Sequence, residues 1–117
     1  MVALGSQYAG LMGTDSGLIK RIEDASGETG EEVWHLPLPK EYRSQLDSDV
    51  ADVKNIGSNW GGALTAGLFL KEFVSDEIPW AHIDIAGPAF ADSPWGEHPK
   101  GGTGFGVRLL VNVIENF

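Results

Sequence analysis

The run Trp80-Ala81-His82-Ile83-Asp84-Ile85-Ala86 constrains this chain more than any other stretch. It alternates with period two, so Trp80, His82 and Asp84 share one face and Ala81, Ile83 and Ile85 the other. Gly87 and Pro88 stop it. This is the clearest strand in the sequence, and helix-period segments flank it. Before it, Leu64, Leu68, Phe69 and Phe73 recur at helical spacing between Gly61 and Val74. After it, Leu109, Leu110, Val113 and Ile114 give an apolar face to a helix over Val107 to Phe117. Helices that alternate with strands predict an α/β fold.

The remaining elements follow from local signals. Val2 to Leu4 reads as a strand end running into a glycine turn. Asp15 or Ser16 can cap a helix whose apolar stripe is Leu18, Ile19 and Ile22, with Gly27 or Gly30 ending it. Val33 to Leu36 is a short extended piece stopped by Pro37, and Pro39 opens a short helix through Leu46. Val50 to Ile56 alternates imperfectly and reads as a strand. The helix from Gly61 carries Gly61, Gly62 and Gly67. Each helical glycine costs roughly 1 kcal/mol against Ala, so tertiary packing must hold this helix.

Composition excludes several functions. A chain of 117 residues is a single domain's worth, and no repeat or linker divides it. The formal net charge of -9 lacks the positive footprint that nucleic acid or an anionic membrane needs. With no cysteine, disulfides and thiolate zinc sites are excluded. The apolar stretch from Gly61 is too short and too polar to span a bilayer. The N-terminal Met-Val-Ala-Leu-Gly-Ser lacks the features of a signal peptide.

Residues that could carry chemistry are few. His82 and Asp84, two apart on one strand face, could reach one metal ion, or Asp84 could orient His82 as a base. Two ligands do not make a site. The plainer reading is a buried histidine, with Asp84 bonding backbone groups at the strand end. His35, between apolar residues, reads as packing or surface. Asp92, Glu97 and His98 lie in a Pro- and Gly-bounded loop that reads as polar surface. Gly101 to Gly106 opens a helix, and a helix N-terminus offers free donors to an anion. No Lys follows the glycines as a phosphate loop requires; Lys100 precedes them and Arg108 comes after. A tight loop where backbones approach closely fits better. The acidic run Glu28, Glu31 and Glu32 reads as a solvated face.

Taken in order, these segments resemble one family along nearly the whole chain. They are Val2-Ala3-Leu4-Gly5, Tyr8-Ala9-Gly10-Leu11-Met12, Gly30-Glu31-Glu32-Val33-Trp34-His35-Leu36-Pro37-Leu38, Ala51 to Gly57, Gly61 to Val74, Trp80 to Gly87, and Thr103-Gly104 before Val107-Arg108-Leu109-Leu110. Together they resemble the C-terminal part of the catalytic domain of the leucyl (cytosol) aminopeptidases, the M17 metallopeptidases. The resemblance implies part of a mixed sheet with helices on both faces, from a cytoplasmic, hexameric enzyme. It implies a hydrolase in which two divalent metals, manganese or zinc, release N-terminal residues from peptides, leucine preferred. The family's metal ligands and catalytic Arg in Asn-Thr-Asp-Ala-Glu-Gly-Arg, and its catalytic Lys, have no counterpart here. The resemblance thus assigns this chain no metal ligand and no catalytic residue, and implies that it is inactive alone. Ala86, Gly87 and Ala89 are expected in the wall of the substrate pocket, with His82 and Asp84 as structural support. Phe105-Gly106 departs from the family's usual Gly-Arg-Pro. A non-catalytic binding or assembly module built on the same fold is the alternative.

Overall fold

The computed structural model describes residues 1–117. Its central strand is β1, Ala9–Gly13, which periodicity does not reveal. Ala9 to Met12 are all buried, so both faces of the strand are covered and the apolar/polar alternation is lost. Two glycines allow this. A side chain at Gly13 would sit 2.6 Å from Ile19 Cδ1 and 2.9 Å from the Trp80 carbonyl oxygen. The expected strand end at Val2 to Leu4 is instead an exposed turn, with Gly5 N–H donating to the Met1 carbonyl. No neighbouring strand is there to pair with it.

Asp15 caps α1, Ser16–Thr29, through its Oδ1, which accepts from Leu18 N at 2.8 Å. Gly30 ends the helix in the left-handed conformation, φ 73°. The chain then returns as β2, Val33–His35, parallel to β1 with Ala9 beside Val33 and Leu11 beside His35. A 3-10 helix follows over Lys40–Leu46. Val50 to Ile56 forms bends and not the expected strand. The Ser48 hydroxyl accepts from Val50 and Ala51 N–H, a local alternative to a ladder, and Val50 and Ile56 stay exposed.

Helix α2, Gly62–Lys71, is shorter than its apolar pattern and ends in a tight turn before Val74. Strand β3, Ala81–Asp84, runs antiparallel to β1, with Leu11 beside Ile83 and Met12 beside His82. Two short pieces that carry no strand signal in the sequence, β4, Phe90–Ala91, and β5, Gly101–Gly102, form an antiparallel pair. Helix α3, Val107–Glu115, closes the fold.

The sheet order is β2-β1-β3 and the sheet is mixed. On one face Ala9, Leu11 and Val33 pack with Ile19, Ile22 and Ala25 of α1 and Leu109 and Val113 of α3, with Ala81 and Ile83 against them. On the other face Gly67 of α2 lies over Met12 and His82. Helices therefore cover both faces, as expected. The molecule is a slab of 47 × 33 × 18 Å with a radius of gyration of 15.2 Å, against about 13 Å for a spherical domain of this length. Its accessible surface of 7623 Å² exceeds the roughly 6,200 Å² usual for this mass. No helix is long and apolar enough to cross a membrane.

Candidate functional site

The expected pocket residues follow β3 directly. Asp84 Oδ1 accepts from Ala86 N–H at 3.0 Å, which ends the strand by turning that amide away from the ladder. Ala89 N–H donates to the Ile85 carbonyl at 3.0 Å and closes the turn. Ala86 is exposed and Ala89 half-buried, while Gly87 and Pro88 between them are buried. Gly87 is packed against backbone: a Cβ there would collide with the Gly5 carbonyl oxygen and lie 3.3 Å from that of Tyr8. The N-terminal turn thus presses on the Ala86–Ala89 turn from one side.

The other side is held by Thr103. Its Oγ1 donates to the Pro88 carbonyl at 2.5 Å, and its N–H donates to the Ala89 carbonyl at 3.0 Å. The same hydroxyl oxygen accepts from Phe105 N–H at 3.2 Å, tying the turn to the loop that opens α3. Gly104 and Gly106 in that loop have φ of 68° and 99°, positions that disfavour any side chain.

Helix α3 begins without a capping side chain of its own, yet its first amides need acceptors. They receive one from Glu31, in the turn after α1. Glu31 is 4% exposed, and its Oε2 accepts from Gly106 N–H at 3.0 Å and Leu109 N–H at 2.8 Å. Arg108 reaches Glu31 at 3.5 Å and Glu97 at 2.5 Å. This corrects two sequence expectations. Glu31 is a buried helix cap and not part of a solvated acidic face. The glycine loop is not the expected close backbone approach, since a Cβ at Gly101, Gly102, Gly104 or Gly106 would meet nothing within 4 Å; its Gly106 donor, with that of Leu109, is taken by the protein's own carboxylate. A signal existed: a helix opening on glycines, with no Ser, Thr, Asp or Asn cap, needs an acceptor from elsewhere.

The histidines do not converge. His82 is half-buried under α2 and lies parallel to the Trp80 ring, 6.3 Å between centroids at 9°. Burial pushes its pKa below the usual value, opposed by the charge of Asp84. No hydrogen bond joins His82 to Asp84, whose Oδ1 is turned to the strand-end amide. His35 is exposed on β2, beside a shallow depression of about 390 Å³ that it shares with Glu23 and Glu32. His98 packs against Trp95 at 4.7 Å, the two exchanging backbone hydrogen bonds, while Glu97 turns to Arg108.

This mixed-sheet architecture is that of a solved class of peptidase, the leucine aminopeptidases. A mutant of tomato leucine aminopeptidase superposes with a TM-score of 0.89 at 38% identity, over 100% of this chain and 22% of that one. The bottromycin maturation enzyme BotP in complex with Mn superposes with a TM-score of 0.94 at 41% identity, over 98% of this chain and 26% of that one. Among curated proteins, the probable cytosol aminopeptidase of Rhodococcus opacus (strain B4) is 52% identical over 118 residues, covering 99% of this chain and 23% of its own length. That of Streptomyces coelicolor is 51% identical, covering 98% and 22%. The model of the cytosol aminopeptidase family, catalytic domain, matches residues 1–111, and the chain belongs to this family. It spans 22–24% of the length of the curated relatives it matches.

BotP was solved in complex with Mn. Taken by themselves, the side chains of this chain assemble no metal centre. No group of three or more His, Asp or Glu side chains comes together. His82 and Asp84 supply two donors, and Asp84 already holds the Ala86 amide.

Proposed function

We propose that these 117 residues work as the C-terminal part of the catalytic domain of a metal-dependent leucyl aminopeptidase. They supply scaffold and one wall of the pocket for the substrate's N-terminal side chain. Ala86, Gly87 and Ala89 form that wall, and His82 and Asp84 support it from β3. The metal ligands and catalytic groups come from residues outside this chain, and the chain is inactive alone. The working enzyme is a cytoplasmic homo-oligomer, a hexamer as the resemblance implies, with manganese or zinc bound by its other residues.

The observation that carries this reading is the family match over residues 1–111 in a chain whose own donors assemble no metal site. The turn after β3 supports the pocket role. Small side chains at Ala86 and Ala89 leave room for a leucine, and Pro88 and Gly87 are buried and held. A single methylene in such a pocket shifts preference by about 1–3 kcal/mol, so a fixed wall matters.

The test is hydrolysis of a leucine anilide with excess manganese, by the purified chain alone and after mixing with the upstream part of a related aminopeptidase. Activity only on mixing is the expected result. Activity of the chain alone, free of host peptidase, would overturn the placement of the metal centre. Silence in both would leave an assembly module as the function.

A further inference from the structure

We infer that Thr103 is a positioning residue for the substrate pocket, and that the buried carboxylate of Glu31 anchors it. The inference rests on the reading of Ala86–Ala89 as pocket wall. Thr103 makes both polar contacts that join this turn to the rest of the fold on the α3 side. Its hydroxyl donates to the Pro88 carbonyl at 2.5 Å, and its amide donates to the Ala89 carbonyl at 3.0 Å. Only the hydroxyl contact depends on the side chain, and it is part-buried, so water replaces it poorly.

Three connections give Thr103 a fixed place to pull from. Strands β4 and β5 pair immediately before it, Phe90 beside Gly102 and Ala91 beside Gly101. The Phe105 amide donates to its hydroxyl oxygen. Just beyond, Gly106 N–H and Leu109 N–H are held by Glu31. The loop Thr103–Gly106 is therefore clamped at both ends, although its glycines would otherwise leave it mobile. Opposite, the backbone of Gly5 closes over Gly87. The turn sits between these two supports, and loss of one lets it shift toward the open side. A wall displaced by even a fraction of an ångström changes how well a leucine side chain fills the pocket relative to an alanine.

The experiment compares wild type, Thr103→Val and Thr103→Ser. Valine keeps the branched shape and removes the hydroxyl; serine keeps the hydroxyl. Two readouts are taken on each. On the chain itself, amide hydrogen exchange and chemical shifts of Ala86, Gly87 and Ala89 are measured at matched folded fraction. Thr103→Val removes both bonds of the hydroxyl, to the Pro88 carbonyl and from the Phe105 amide; the loosened turn is expected to raise the exchange rate of Ala89 N–H, itself bonded to the Ile85 carbonyl, roughly fivefold, and Thr103→Ser to restore it. Unchanged exchange in Thr103→Val overturns the inference whatever the activity. On the aminopeptidase reconstituted with the upstream part, the kcat/KM ratio of leucine to alanine anilide is measured. Thr103→Val is expected to lower that ratio roughly three- to tenfold, through KM more than kcat, with recovery in Thr103→Ser. An equal loss on both substrates would overturn the pocket role and leave Thr103 as a structural tether. Absence of activity in the wild-type mixture would instead sink the aminopeptidase reading, while the exchange data would still decide whether Thr103 holds the turn.

Discussion

Removal of the Glu31 carboxylate tests the account of how α3 is docked. Glu31 is 4% exposed and accepts from two helix-start amides at 3.0 and 2.8 Å. Hydrogen bonds to a charged group contribute about 1.5–3 kcal/mol each. Gly104 is exposed and Arg108 half so, so water can reach part of the vacated space, and the lower figure applies. Two bonds then give about 3 kcal/mol for Glu31→Ala. Glu31→Gln keeps the volume and one acceptor but loses the charge facing the helix dipole, for about 1–2 kcal/mol. Glu32→Ala, next in the chain but exposed, should stay within about 0.5 kcal/mol of wild type. The assay is urea unfolding followed by circular dichroism at pH 7, with a common slope m. At about 4 °C per kcal/mol for a domain of this size, Glu31→Ala should also lower Tm by about 12 °C. A Glu31→Ala variant as stable as Glu32→Ala would refute the capping role.

Other perturbations separate tight backbone approaches from looser ones. Gly13→Ala places a methyl against the Trp80 carbonyl and Ile19 and should cost about 2 kcal/mol in the same assay. Gly67→Ala meets the flexible ends of Met12 and Leu38, at 3.0 and 3.1 Å, and His82 at an ordinary contact of 3.7 Å; gained helix propensity should hold the change within about 1 kcal/mol, and a larger loss would mean the α2 contact is rigid. Burial lowers the His82 pKa, so between its folded value and the ordinary 6.5 the unfolded chain binds more protons. The stabilising effect is full above pH 6.5 and is lost as pH falls through the folded value. His82→Gln should flatten the stability profile below pH 6.5, and an unchanged profile would assign that slope to other groups. The exposed Val107, Leu110, Val111 and Ile114 on α3, with Trp34 on edge strand β2, predict association at micromolar concentration. Sedimentation showing a monomer with one sharp transition above about 60 °C would count against it.

Elements with one covered face were legible in the order of residues. The stripe of Leu18, Ile19 and Ile22, a cap at Asp15 or Ser16 and a stop at Gly27 or Gly30 define α1 because a helix end is a local hydrogen-bonding problem, and the structure selects Asp15 and Gly30. Strand β3 reads from its alternation because its two faces meet different surroundings. Even the turn of Asp84 onto the strand-end backbone was legible, since the partner lies two residues away.

Tertiary structure decided the rest, wherever the partner is distant in sequence. Strand β1 is buried on both faces, so its residues carry no period, and its glycines make sense only beside Leu36 at Gly10 and Ile19 and Trp80 at Gly13. The pattern at Val50 to Ile56 found no strand to pair with and lost to Ser48. Glu31 looks like its exposed neighbour Glu32 and differs only because α3, 75 residues on, brings unpaired amides to it. Thr103 likewise acquires meaning from Pro88. A local rule reads propensity and burial on one face; which carboxylate caps which helix is fixed by packing, because the energy of a buried hydrogen bond depends on a partner that only the folded chain supplies.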